Sequence, residues 1–115
     1  MDVNSALSVL NNPIRRQILL WLKDKSNFPP PLPEHVSING VCVGYIQEKA
    51  GLSQSTISNY MSQLKKQELV IAERQGQWTF YRRNEDVIKL GNFSFTKQDL
   101  LNAIKVFENN KKKGD

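Results

Sequence analysis

The sequence predicts a mainly α chain (an α+β class) with about five to six helices and one two-stranded β-hairpin. Three observations predict it. Residues 50–66, from Ala50 to Lys66, read as a turn followed by a helix. From Leu69 the apolar pattern changes to two β-rich runs, 69–73 and 78–82, separated by Arg74-Gln75-Gly76-Gln77. Apolar stripes at helical spacing occupy both ends of the chain. A helix-turn-helix followed directly by a hairpin is a winged helix-turn-helix, and that is the expected architecture.

The 115 residues suffice for one domain with a modest core. Charged residues make up 23% and hydrophobic residues 39%, which excludes disorder by composition. No apolar run approaches the roughly 20 residues of a membrane span, and no signal peptide is visible. A cytoplasmic protein is expected. Its single cysteine, Cys42, excludes an intrachain disulfide framework.

Residues 2–11 read as a short helix, with Asp2 as a possible cap and Val3, Leu7 and Leu10 along one stripe. Asn12-Pro13 restarts the chain: asparagine is a good N-cap, and proline in the first turn loses no hydrogen bond. The second helix is expected over about 13–25, with Ile14, Ile18, Leu19, Trp21 and Leu22 facing inward. Arg15 and Arg16 point outward near its start, where the helix dipole disfavours cations. A phosphate or a partner carboxylate would offset that; two solvated arginines are the plainer reading. Residues 26–40 contain four of the five prolines and the only histidine, His35. They form a long loop with extended, polyproline-like geometry, either a surface insertion or a partner site.

A third helix is expected over Val41 to Ala50, anchored by Val43 and Ile46. Gly51 suits the left-handed residue that ends it. Ser53 suits the next N-cap, with Leu52 and Ile57 as a hydrophobic staple. The helix of about 54–67 then carries Ile57, Met61 and Leu64 on one face and Gln54, Ser55, Ser58, Asn59 and Ser62 on the other. In the hairpin, Gly76 is available for positive φ. Residues 85–92 are a weaker helical segment. A last helix is capped by Thr96, with Asp99 in its first turn and Phe95 stapled to Leu100. Its apolar face is Leu100, Leu101, Ile104 and Phe107. Residues 1–110 are therefore expected to form one domain, and 111–115 a flexible basic tail.

The outer face of helix 54–67 carries the functional signal. It is short, polar and uncharged, whereas a solvated face more often carries Glu and Lys. Amide and hydroxyl groups of this size can enter a groove and bond to base edges. The net charge is +5, and residues 51–83 are the most basic segment, with five Lys or Arg against two acids. Basic surfaces attract polyanions through counterion release. The expected DNA-binding residues are Gln54, Ser55, Thr56, Ser58, Asn59, Tyr60, Ser62, Lys65, Lys66, Arg74, Gln75, Gln77, Arg15 and Arg16, with Arg82 adding charge.

Three blocks of the chain resemble the ArsR-type (arsenic-repressor-like) family of small bacterial winged-helix repressors. They are Asn11 to Leu19, Gly51 to Met61, and Glu68-Leu69-Val70 followed by Arg74 to Arg82. The resemblance implies a homodimer that binds palindromic double-stranded DNA and blocks transcription. It places the first and last helices at the two-fold axis, hence Val3, Leu7, Leu10, Leu100, Leu101, Ile104 and Phe107 in dimerisation. Metal sensors of that family use a Cys-Val-Cys pair at the start of the third helix. Here Cys42 matches the first position and Gly44 stands at the second. Others use His and carboxylates on the last helix, where residues 96–110 hold only Asp99 and Glu108. No metal and no cofactor is expected, the inducer is not indicated, and Cys42 reads as a small core residue. Two alternatives stand beside the repressor: a winged helix used for protein contact through the proline loop, and a thiol-based sensor working through Cys42. One His and one Cys without clustered carboxylates leave no set for catalysis.

Overall fold

Helix α1 (Val3–Leu10) is short, and its last carbonyls are closed by the arginines of the next helix. Arg15 Nε donates to Val9 O at 2.6 Å and Arg16 Nη1 to Leu10 O at 2.9 Å. Two cations at the start of α2 (Pro13–Leu22) thus lie at the negative end of α1, which offsets their misfit with the dipole of α2 itself. Asn12 Oδ1 caps α2, accepting from the amides of Ile14 at 2.8 Å and Arg15 at 3.1 Å. The computed structural model describes residues 3–90, and only the backbone at its two ends, Val3 and Leu90. The expected helix over 96–109, its cap Thr96, and the basic tail lie outside the described residues.

After α2 the chain makes two 3-10 turns, Lys25–Asn27 and Pro33–His35. Asp24 caps the first, accepting from Ser26 N at 2.9 Å; that bond holds its carboxyl below the usual range. Between the turns, Leu32 has the extended, polyproline-like φ of −62° and ψ of 154°.

Residues 41 and 42 are not helical as expected. They form β1 (Val41–Cys42), and α3 (Val43–Ala50) begins after it. The reason is a partner distant in sequence: Val41 pairs with Tyr81 and Cys42 with Phe80. The wing is therefore part of a three-stranded antiparallel sheet, ordered β1-β3-β2, with β2 (Val70–Gln75) and β3 (Trp78–Arg83) as the hairpin. Its turn is tighter than the four residues expected, because Gln75 pairs directly with Trp78. Gly76 takes φ +61°, which a side chain rarely adopts.

Gly51 ends α3 in the left-handed conformation, φ 67°, and its amide donates to Gln47 O and Glu48 O. Helix α4 (Gln54–Lys66) follows, capped by Ser53, whose Oγ accepts from Thr56 N at 3.2 Å. It ends in a Schellman arrangement without glycine: Leu69 N donates to Leu64 O at 3.0 Å, and Glu68 takes φ 59°. The short α5 (Glu85–Leu90) closes the described chain.

The core collects the expected stripes. Ile14, Ile18, Leu19, Trp21 and Leu22 of α2 meet Ile46 and Ala50 of α3, and Ile57, Met61 and Leu64 of α4. Leu69, Val70 and Phe80 join them from the sheet side and Ile88 from α5. Gln17, on the inner side of α2, is also buried, and its Oε1 has no hydrogen-bond partner among the described residues. Burying the inward side of α4 leaves its polar side outward, which positions the candidate site.

Candidate nucleic-acid interface

Gln54, Ser55, Ser58, Asn59, Ser62, Lys65 and Lys66 are all exposed along one side of α4. The residues at its start are organised by the cap. Ser53 Oγ lies 2.8 Å from Thr56 Oγ1 and 3.2 Å from Ser55 Oγ, so half-buried Thr56 belongs to a local hydroxyl cluster. Asn59 Oδ1 accepts from Gln63 Nε2 at 3.2 Å, one helical turn away, which leaves the Asn59 amide nitrogen to donate elsewhere. Gln63 was not among the expected site residues; it is half-buried, and it orients one that was.

Tyr60 sits differently. It is half-buried, with the Arg15 guanidinium 5.2 Å from its ring centroid and Asn12 Nδ2 3.5 Å from its hydroxyl. It joins α4 to the start of α2, and it brings the charge of Arg15 to the edge of α4. Arg15 and Arg16 are half-buried and bonded to α1, so neither is the solvated arginine that the sequence suggested.

At the tip of the wing, Arg74, Gln75 and Gln77 are exposed, and Arg74 Nε reaches Gly76 O at 3.3 Å. Among the described residues Lys65, Lys66 and Arg74 have no carboxylate partner. Arg82 does: its Nη1 lies 2.9 Å from Glu73 Oε1 and 3.3 Å from Asn39 O. Much of the charge expected of Arg82 is therefore neutralised inside the wing.

Between α4, α3 and the wing runs a cleft of about 750 Å³. Its walls include Gln54, Ser58, Arg74 and Gln77, which were expected, and Gln47 and Thr79, which were not. Only the three-dimensional pairing of α3 with the sheet brings the last two there. Leu32 and His35 of the proline loop form its far rim. The His35 ring is wedged edge-on between Tyr45 and Trp78, with centroids at 5.4 and 4.5 Å. The cleft is open and mixes amides and hydroxyls with apolar side chains and the Glu48 carboxylate, and Arg74 is the cation in its wall. The polar outer side of α4 beside it, ending in Lys65 and Lys66, suits a polyanion with hydrogen-bonding edges.

The remaining expectations divide by location. Leu10 is buried in the chain's own core and so is not free to face a partner, whereas Leu7 is half exposed. The Val3 side chain, Leu100, Leu101, Ile104 and Phe107 lie outside the described residues. Cys42 is a buried free thiol. Among the described residues no group of His, Cys, Asp or Glu is placed to hold a metal ion, and no helix is long and apolar enough to cross a membrane.

Comparison with known proteins agrees with this geometry. No family model matches the chain. The chain is 39% identical over 95 residues to YbzH of Bacillus subtilis (strain 168), described as an uncharacterized HTH-type transcriptional regulator; the match covers 81% of this chain and 95% of that protein. Among solved structures, it resembles the homodimeric winged helix-turn-helix DNA-binding domain of Mb0332 from Mycobacterium bovis, a possible ArsR-family transcriptional regulator. The TM-score is 0.58 and the identity 28%, covering 78% of this chain and 71% of that one. NolR from Sinorhizobium fredii matches with TM-score 0.56 and 31% identity over 76% of this chain and 74% of its own. Reduced HlyU from Vibrio cholerae N16961 matches with 0.54 and 25%, over 76% and 79%. The chain belongs to the helix-turn-helix-type transcriptional regulators, a DNA-binding class and not an enzymatic one.

Proposed function

We propose that the protein is a sequence-specific repressor of the ArsR type, which binds a palindromic operator as a homodimer in the cytoplasm. The observation that carries this reading is the outer side of α4, exposed, uncharged and rich in hydrogen-bonding groups, with Lys65 and Lys66 exposed at its end. On this reading α4 enters the major groove. Gln54, Ser55, Ser58 and Asn59 contact base edges, with Ser62 beside them. Thr56 and Tyr60 hold the helix at its working angle. Lys65, Lys66, Arg74, Gln75 and Gln77 contact the backbone, and Arg15 and Arg16 add positive potential at the edge of α4. Exposed Leu7 of α1 supports the dimer, and the sequence stripe Leu100, Leu101, Ile104 and Phe107 is assigned to it as well. Two-fold symmetry then sets two recognition helices about one DNA turn apart.

Selection of bound duplexes from a random pool, with sedimentation of the complex, tests this directly. A palindromic consensus bound by a dimer is expected; enrichment of no duplex sinks the proposal. Asn59→Ala is expected to relax one base position by about 1–3 kcal/mol. Lys66→Ala is expected to weaken all sequences alike and reduce the salt slope by about one. A second reading, protein contact, draws on the exposed Leu32, Val36 and Ile38 of the proline loop. Indifference to DNA at low salt, with a partner retained through that loop, would select it. The thiol-sensor reading draws only on Cys42, whose burial within β1 counts against it.

A further inference from the structure

The loop of residues 25–40 covers a cavity of about 110 Å³ against β1 and α3. Phe28, Pro29, Pro31, Val36, Val41 and Tyr45 provide its apolar walls. Most of the polar groups beside it are engaged with one another; the exception is His35 Nε2, which is buried and has no hydrogen-bond partner among the described residues. Lys25 Nζ donates to Ser37 O at 2.6 Å, and Ser37 Oγ accepts from Asn39 N at 2.9 Å. The Tyr45 hydroxyl accepts from Leu32 N at 3.0 Å and lies 2.9 Å from His35 Nδ1.

Water is a poor filler for such a space. Each water occupies about 30 Å³ and needs two to four polar partners, and these walls have few to offer. An apolar molecule loses nothing by that and gains the burial of its own surface and of the walls. The space also limits the size: an apolar cavity of roughly 150 Å³ holds one benzene ring, so about 110 Å³ admits one ring at most. Charge narrows the class further. No carboxylate lines the cavity, so a cation finds no partner; the one charged residue, Lys25, is exposed and bonded to a carbonyl.

We propose that this cavity is a binding site for a small uncharged aromatic molecule with a single ring. Binding holds the loop against α3, because the ligand touches both. His35 also packs on Trp78 of β3, beside the turn of the wing, so an occupied cavity also steadies the tip end of the wing. The site itself does not depend on the repressor reading; only a consequence for DNA affinity rests on that reading.

The test uses the full chain free of DNA, so failure of the DNA reading leaves it unaffected. Benzene is titrated into isotopically labelled protein and followed by NMR. Saturable shifts are expected in residues 25–45 and Trp78, with nuclear Overhauser contacts from benzene to the Phe28 and Tyr45 rings. Val36→Phe, at a largely exposed position on the cavity wall, should fill the space and abolish the saturable shifts while the rest of the spectrum is retained. Shifts that do not saturate, contacts centred elsewhere, or unchanged binding by Val36→Phe would overturn the proposal. Tighter binding of benzoate than of benzene would overturn the assignment to uncharged ligands.

Discussion

Helix α4 and the loop of residues 25–40 wall the same cleft, yet opposite means hold them in place. Helix α4 is fixed by neighbours in sequence: Ser53 caps its start, Gly51 ends the helix before it, and three apolar residues at helical spacing seat it on the core. The loop is fixed by residues distant in sequence. Tyr45 takes the Leu32 amide, Trp78 packs on His35, and Arg82 Nη1 holds Asn39 O. A reader needs a rigid, repeatable face, and local rules supply one. A loop held by few contacts over a cavity can instead respond to what fills it.

The comparison breaks most sharply at Gly40, where the loop joins β1. Gly40 has φ +136°, and a Cβ built there would lie 2.1 Å from Tyr81 O, a backbone atom of β3 that cannot move aside cheaply. Gly40→Ala is expected to destabilise the protein by about 3 kcal/mol, measured by urea unfolding. Loss of the amide protection of Val41 and Cys42 should accompany it, because their pairing with Tyr81 and Phe80 is displaced. A change close to zero would mean that the loop is not seated on β3 as described.

The same division explains what the sequence disclosed. The caps Asn12 and Ser53, the glycine stop at Gly51, and the inward stripes of α2 and α4 all arise from interactions within a turn or two, so residue spacing reveals them. The outer side of α4 was legible for the same reason, being the remainder once the stripe is assigned. Residues 41–42 were misread because a strand of two residues has no period; only Phe80 and Tyr81, nearly forty residues on, make it one. Gln47, Gln63 and Thr79 were overlooked since a single polar residue carries no sign of what it faces. The partners of Arg15 and Arg16 were missed because α1 turns back to present its carbonyls, a matter of helix packing.

Two substitutions sharpen the contrast. Ser53→Ala removes the cap of α4 and is expected to lower global stability by about 1 kcal/mol. Fraying should reach Gln54 and Ser55 in hydrogen exchange, with DNA binding weakened in parallel. Tyr45→Phe removes one hydroxyl and releases two loop partners, but the freed Leu32 amide lies near solvent. Its global effect is expected to be smaller, about 0.5–1 kcal/mol. Exchange and proteolysis should instead rise within residues 28–38 while α4 stays protected. Equal changes in both regions after either substitution would mean that loop and helix form one cooperative unit.

The smallest expected effect is a pH dependence of the sheet that joins the two regions. Tyr81 is half-buried, opposite Val41 in β1 and Ala72 in β2, and burial raises its phenol above the ordinary value of 10.0. The folded state therefore holds this proton where the unfolded chain has lost it. By linkage, the contribution of Tyr81 is fully present below 10.0 and declines as pH rises from there towards the raised folded value. Urea unfolding across alkaline pH should show a steeper loss for the wild type than for Tyr81→Phe, which has no phenol to ionise. The difference between the two curves is the quantity to read. Parallel curves would place Tyr81 in water, and with it the outer surface of the β1–β3 pair that carries the loop.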